Sequence, residues 1–299
     1  MKPGTAPQLR TAHLILTPRD EQMLRAIYQY RYMTSLDMAH LLFKPSYLSY
    51  VRGRLARLAG QKDLEPNSYL VRLALPEHGA GNQLRVFALG VKGAKHLERE
   101  AGLPVDWSCT PSKYRDLGIS HRRHSLLLTR LAVSAADWSR TQAQYALTQT
   151  RLSYELGRSS AKVIPDGFLL FEDKNGKKHP LLIEIDRGME YQQKFKRHVK
   201  ARIEFIQSGE YEKVFGLKSV LVAYATTGQR PEYRESRVAH MLTWIREACA
   251  EVGKEKWAGG IFRVTSLVLD ESMYDCSLWE KPLWHSPASA EPVPLLPPV

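Results

Sequence analysis

Residues 45–60 have the sequence PSYLSYVRGRLARLAG, in which apolar and basic positions recur with helical spacing. The proline and serine at its start and the glycine at its end are typical of the two ends of a helix. The apolar positions predict one buried face, made of Leu48, Val51, Leu55 and Leu58. The remaining positions predict an outward face of hydroxyl and guanidinium groups, made of Tyr47, Ser49, Tyr50, Arg52, Arg54 and Arg57.

Two further helices are predicted upstream of this segment. Residues 17–30 open with Thr17, Pro18 and two acids, which is a typical helix start, and continue with an apolar repeat. Residues 34–42 carry a second, shorter repeat that begins at Thr34 or Ser35.

A β-hairpin and a fourth helix are predicted downstream. The extended runs at residues 69–75 and 84–89 flank a polar, glycine-containing loop, and residues 92–101 have helical spacing. Three helices followed directly by a hairpin is the element order of a winged helix-turn-helix. We predict that fold for residues 14–101; an ordinary three-helix bundle is the alternative, and the hairpin argues against it.

The charge of the chain favours an anionic partner. The 299 residues contain 43 Lys and Arg against 31 Asp and Glu, a formal net charge of +12. Residues 1–60 hold nine of these bases against three acids. Lys and Arg displace counterions from DNA phosphates, and Arg also binds guanine edges. We therefore predict duplex DNA as the partner, with Arg72 and Arg85 of the hairpin reaching the adjacent backbone. The alternatives are a winged helix that docks a protein and a basic surface without a partner.

A second domain is predicted after a linker at residues 102–116. Residues 117–283 contain a long helix from about His124, two strands joined by an Asn-Gly turn at residue 175, and then further helices and strands. This pattern predicts an α/β domain with a mixed central sheet, so the chain as a whole is α+β. The Pro-rich tail at residues 284–299 is predicted to be unstructured.

Three carboxylates mark a candidate catalytic and metal site in this domain. Asp166 opens the first strand of the Asn-Gly hairpin, while Glu184 and Asp186 lie two residues apart on the second strand and so share one face. Carboxylate oxygens are suitable ligands for Mg²⁺ or Mn²⁺, which activate water for phosphodiester cleavage. The alternative is structural: Pro-Asp-Gly is a common turn, and Glu-Ile-Asp also fits the exposed face of an edge strand.

The helix that follows could supply a cation to these acids. Lys194 and Lys196 are the predicted candidates, although most charges on this helix suit a solvated face. His124, near a predicted helix start, is a further candidate for orienting a phosphate or a water molecule. No phosphate-binding glycine loop of the Gly-x-x-x-x-Gly-Lys-Ser/Thr type occurs, so the sequence predicts no nucleotide or organic cofactor.

The compartment is predicted to be the cytoplasm. The three cysteines are widely spaced, and the sequence shows neither a signal peptide at its start nor an apolar run of the roughly 20 residues that a membrane helix needs. Other replication or transfer proteins and a second copy of the chain are the remaining candidate partners.

Several of these motifs together resemble the replication-relaxation family of plasmid and mobile-element proteins. They are Leu-Thr-Pro-Arg-Asp at residues 16–20, Leu-Gly-Val-Lys-Gly-Ala-Lys-His-Leu at 89–97, the helix opening at His124, Ile-Pro-Asp-Gly at 164–167 and Glu-Ile-Asp-Arg-Gly-Met-Glu at 184–190. The resemblance implies DNA binding in plasmid replication or transfer.

The second domain also resembles the PD-(D/E)XK nuclease fold. Asp166 would match its first acid and Glu184 its second, whereas Asp186 stands where that fold usually has a lysine. Two interpretations follow. The domain is a metal-dependent nicking enzyme with a lysine from the next helix, or it is a nuclease-like domain that binds DNA without cutting it, in a regulator or replication accessory factor.

Overall fold

The structure is a computed structural model. It describes residues 14–60, 67–76, 83–107, 118–153, 163–188, 190–227, 230–267, 274 and 277–299. Most of the predicted linker and the hairpin loop lie outside these residues.

The first three helices form where their capping signals predict them. Helix α1 spans Pro18–Tyr30 and α2 spans Ser35–Leu42. In each, the hydroxyl of a threonine just before the helix accepts a hydrogen bond from the backbone N–H of the third helical residue, an aspartate. The carboxylate of that aspartate accepts a hydrogen bond from the backbone N–H of the threonine. A 3₁₀ turn at Pro45–Tyr47 leads into α3, Leu48–Leu58, which buries Val51, Leu55 and Leu58 as predicted.

The predicted hairpin is also confirmed. Strand β1, Leu70–Pro76, pairs antiparallel with β2, Gln83–Leu89. Helix α4, Val91–Arg99, follows at once. Gly93 explains part of the glycine-rich motif at this turn, because a Cβ atom on it would lie 2.2 Å from the Tyr69 carbonyl oxygen. Only glycine therefore lets α4 pack this closely on β1.

Helix α5, Ile119–Thr141, begins five residues earlier than predicted and connects the two predicted domains. The Thr129 hydroxyl donates to the Tyr30 carbonyl oxygen at 2.9 Å, and Arg130 lies 3.7 Å from Asp37 of α2. Leu128 and Leu131 belong to a hydrophobic core that extends from α1 to the last residues of the chain. The two predicted domains therefore share one core.

The second domain contains a five-stranded mixed sheet in the order β3-β4-β5-β6-β7. The strands are β3, Tyr145–Leu152; β4, Gly167–Asp173; β5, Lys178–Asp186; β6, Leu221–Thr227; and β7, Phe262–Leu267. The pairs β3–β4 and β4–β5 are antiparallel, and β5–β6 and β6–β7 are parallel. Edge strand β3 was not predicted, because its centre is polar and half exposed.

Helices cover both faces of this sheet. Helix α5 packs on one face, and the other face is buried beneath α6, Gln192–Gln207, and α8, Pro231–Glu251. The short helices α7, Glu210–Phe215, and α9, Glu255–Ile261, flank them. The strand predicted from residue 259 begins at Phe262, because α9 takes up the residues before it.

The prediction of an unstructured tail is wrong. After the one-turn helix α10, Ser277–Glu280, the chain lies along the sheet, and Trp284, Leu295 and Leu296 are buried in the shared core. The Tyr145 hydroxyl donates to the Pro297 carbonyl oxygen. Prolines remove backbone donors, but they do not prevent apolar neighbours from packing.

None of the helices that the structure describes combines the length and the apolar character required to cross a bilayer.

Candidate functional site

The outward face of α3 is open along most of its length. Ser49, Arg52 and Arg57 are exposed, and the rings of Tyr47 and Tyr50 are about half exposed. Neither arginine forms an ion pair or hydrogen bond with any residue in the part of the chain that the structure describes. Two guanidinium groups and several hydroxyls on this face are therefore available to a partner.

Arg54 is an exception to the predicted outward face. Its guanidinium binds both carboxylate oxygens of Asp20 on α1, and Nη2 also donates to the Ile15 carbonyl oxygen at 3.3 Å. Burial raises the pKa of Asp20, but the hydrogen bonds from Arg54 and Thr17 outweigh it, so the pKa lies below its usual value. Arg54 therefore connects α3 to α1 and, unlike the prediction, is not available for a DNA contact.

The two hairpin arginines lie on one face of the hairpin. Arg72 pairs with Phe87, and Arg85 pairs with Ala74, two residues along β1 from Arg72. Because residues two apart on a strand share a face, both arginines lie on the same side of the hairpin. Arg85 is exposed and Arg72 is half-buried. Arg85 is therefore the more accessible of the two.

The second candidate site is a cavity of about 570 Å³ between the end of the sheet and α6. It collects residues from α5, from the segment before β4, from β5 and β6, and from α6. Its lining is His124, Val163, Ile164, Asp166, Glu184, Ile185, Asp186, Arg187, Glu190, Lys194, Phe195, His198, Ala201, Arg202 and Tyr224.

Asp166 is held between a strand and a helix. One carboxylate oxygen accepts the Ile185 backbone N–H at 2.8 Å, and the other lies 3.0 Å from His124 Nε2. Burial lowers the pKa of His124, but the hydrogen bond and the charge of Asp166 outweigh it and raise the pKa overall. Since α5 begins at Ile119, His124 lies in its second turn rather than at its start.

Glu184 lies deeper in the cavity, beside Arg202. The Arg202 Nε–H donates to one carboxylate oxygen of Glu184, and its Nη2 donates to the Ile164 carbonyl oxygen at 3.2 Å. Burial raises the pKa of Glu184 to about 7, although Arg202 opposes this, and the nearby charge of Asp166 adds to the increase. A neutral carboxyl at this position would donate a hydrogen bond as well as accept one.

Asp186 shares a face with Glu184, as strand alternation predicts, but it is fully engaged. Arg237 of α8 donates to both of its oxygens, at 2.8 and 3.0 Å, and the Thr226 hydroxyl donates at 2.8 Å. The side chain is 4% exposed. This arrangement suits a structural ion pair.

The two candidate lysines on α6 have different surroundings. Lys194 lines the cavity, 44% exposed, with its ammonium 2.8 Å from Glu190. Lys196 lies instead against α8, where it forms ion pairs with Glu247 and Glu251. The prediction that Lys196 reaches back to the carboxylates is therefore wrong.

The predicted three-carboxylate metal site is not assembled. Among the described residues, no group of three or more His, Cys, Asp and Glu side chains is arranged to hold a metal ion. Arg237 binds Asp186 and Arg202 binds Glu184, while His124 lies 3.0 Å from Asp166. This donor set does not fit the Mg²⁺ or Mn²⁺ site that the sequence suggested.

Three important residues of this region were not singled out from the sequence. Arg202 lies on the same helical stripe as Lys194, two turns later, so helix periodicity could have indicated it. Tyr224 faces Glu184 across β5 and β6 in register, which becomes visible only once the strands are paired. Arg237 comes from a helix 51 residues beyond Asp186, and no local signal indicates that contact.

Comparison with known proteins identifies the family. The model of the replication-relaxation family matches residues 24–221, from α1 to the start of β6. The matched segment contains both α3 and the three carboxylates. No curated protein and no solved structure matches the chain. Because the family model covers more than half of the sequence, the chain belongs to the replication-relaxation family.

Proposed function

We propose that the chain binds duplex DNA during the replication or transfer of a plasmid or another mobile element. In this proposal residues 14–101 act as a winged helix-turn-helix, α3 enters a groove, and Arg85 of the hairpin contacts the neighbouring backbone. The family membership supports a role in replication.

The observation that carries the proposal is the contrast among the three arginines of α3. Arg54 is used within the fold, whereas Arg52 and Arg57 extend into solvent without an acid in the described part of the chain. Extended guanidinium groups suit phosphate and guanine contacts, and the tyrosine and serine hydroxyls beside them suit phosphate oxygens.

The proposal is tested by fluorescence anisotropy with labelled duplex DNA over a series of salt concentrations. The double variant Arg52→Ala, Arg57→Ala should bind more weakly and lower the salt slope by about two units, one for each lost phosphate contact. The matched control is Lys177→Ala, Lys178→Ala, which removes the same charge from exposed positions at the Asn-Gly turn, at the opposite end of β5 from the three carboxylates. Equal slopes for the two double variants, or affinity independent of salt, would favour a protein-docking role instead.

We further propose that the second domain contacts DNA without cutting it, because its acids are already bound by Arg202, Arg237 and His124 of the protein itself. Metal-dependent nicking at Asp166 and Glu184 is the competing function. Supercoiled plasmid incubated with Mg²⁺ or Mn²⁺ distinguishes the two. We expect no nicking above that of the Asp166→Ala variant; nicking that this variant abolishes would establish the enzyme.

A further inference from the structure

The cavity between the sheet and α6 has chemically distinct inner and outer parts. Its inner residues are Glu184 and Arg202, whose side chains are 12% and 11% exposed, and the buried Tyr224. Its rim carries Lys194 and His198, which are nearly half exposed. Carboxylate, guanidinium and hydroxyl groups thus lie deep in the cavity, and the Lys194 ammonium lies at its mouth, where it is paired with Glu190.

The Tyr224 hydroxyl indicates that the inner part is incomplete. It is buried, and it has no hydrogen-bond partner among the residues that the structure describes. A buried hydroxyl without a hydrogen-bond partner is energetically unfavourable. Tyr224 lines the cavity, so a ligand with a polar edge could supply the missing bond.

Apolar surface makes up part of the wall, beside the charged groups of Asp166, Arg187 and Glu190. Ile164, which is 44% exposed, is an accessible apolar residue of this wall, whereas the Phe195 ring is buried against Tyr224. A metal ion or a free phosphate would leave this surface unused, whereas a planar heterocycle would cover it. The volume of about 570 Å³ is also in the range of sites that hold small organic ligands.

We propose that this cavity binds one guanine nucleotide, with the base inside and the phosphate at the rim beside Lys194. The guanine edge carries adjacent N–H donors, which match the carboxylate oxygens, and a carbonyl acceptor, which matches the Arg202 guanidinium or the Tyr224 hydroxyl. The nucleotide is either free or a unit of a DNA strand turned out of its stack, as in other base-binding pockets. The site does not involve α3, so it does not depend on the proposed contact of α3 with DNA; a nucleotide within a DNA strand would extend the proposed contact of the second domain.

Isothermal titration calorimetry of the full chain in EDTA tests this proposal. The titrants are GMP, AMP, guanosine and inorganic phosphate. We expect GMP to bind most tightly and phosphate most weakly. Glu184→Gln should weaken GMP at least tenfold, whereas Glu204→Gln, which changes an exposed carboxylate of α6, should have no effect.

Two further variants test the orientation. Lys194→Ala should weaken GMP about tenfold and leave guanosine unchanged, because only GMP carries the phosphate. Tyr224→Phe should weaken both ligands without loss of thermal stability, since the hydroxyl has no partner within the described fold. Tyr47→Phe, on the outward side of α3, is the control for loss of a hydroxyl.

Other results would overturn the proposal. One is the absence of binding heat with GMP, AMP and guanosine. Another is phosphate that binds as tightly as GMP. A third is an equal effect of Lys194→Ala on the affinities for GMP and guanosine. Binding of the Arg52→Ala, Arg57→Ala protein to GMP should remain normal, which separates this site from the proposed DNA face. A short oligothymidine strand with one guanine, compared with GMP, then shows which source of the nucleotide is preferred.

Discussion

Arg237 binds both carboxylate oxygens of Asp186, with Nε 2.8 Å from Oδ2 and Nη2 3.0 Å from Oδ1. The guanidinium also lies 4.9 Å from the centre of the Trp244 ring and donates to the Glu190 carbonyl oxygen. These contacts connect the end of β5 to α8 and to the segment that leads into α6. The acid at this position therefore holds elements together.

We expect Asp186→Asn and Arg237→Ala each to lower the free energy of unfolding by about 3–5 kcal/mol, because each leaves the other charge buried without its partner. The double variant should lose less than the sum of the two. Urea unfolding measures all three. Lys218→Ala, which breaks an exposed ion pair with Glu212, should cost below about 1 kcal/mol. An Asp186→Asn protein of unchanged stability would contradict the structural role.

The second prediction concerns pH and the contact between α1 and α3. The pKa of Asp20 is lowered in the folded protein, so the carboxylate stabilises the fold above its unfolded pKa of about 4. That contribution is lost as the pH falls through the lower folded value. Asp20→Asn should therefore be less stable than the natural chain at pH 6, and the difference should shrink below about pH 4.

Urea unfolding over a pH series measures this difference. Glu204→Gln serves as the control, since its side chain is exposed. A difference that stays constant from neutral to strongly acidic pH would show that the Asp20 charge does not stabilise the fold.

The third prediction concerns the C-terminal segment. Trp284 is fully buried, and the backbone beside it bridges Val264 and Val293. Trp284→Ala should lower the free energy of unfolding by about 3–5 kcal/mol. Trp107→Ala, at a site where the ring is 40% exposed, should cost much less. Equal effects in thermal unfolding would mean that residues 284–299 do not belong to the core.

Local signals allowed much of the fold to be predicted. The threonine caps of α1 and α2, the two runs of the hairpin and the Asn-Gly turn each specify their own geometry within a few residues. Strand β3 was not predicted because the residues at its centre are polar, and pairing with β4 is what makes this segment a strand. The burial of the C-terminal tail was not predicted, because proline content does not determine tertiary packing.

The candidate site was only partly predictable for a related reason. Strand alternation correctly placed Glu184 and Asp186 on one face. Their partners come from α6 and α8, and the sequence does not determine how those helices are oriented over the sheet. The three acids therefore suggested a shared metal, whereas the folded chain provides Arg202 for Glu184 and Arg237 for Asp186.

Helix α5 has a mechanical consequence. Its 23 residues make a rod about 34 Å long. His124, in its second turn, contacts Asp166 at the cavity, and Asp137, near its other end, contacts His40 of α2. A flexible linker would let the two predicted domains move relative to each other, whereas a helix packed in their shared core keeps the distance between them constant. If α3 binds a duplex as proposed, the rigid connection through α5 keeps the distance between that duplex and the cavity constant.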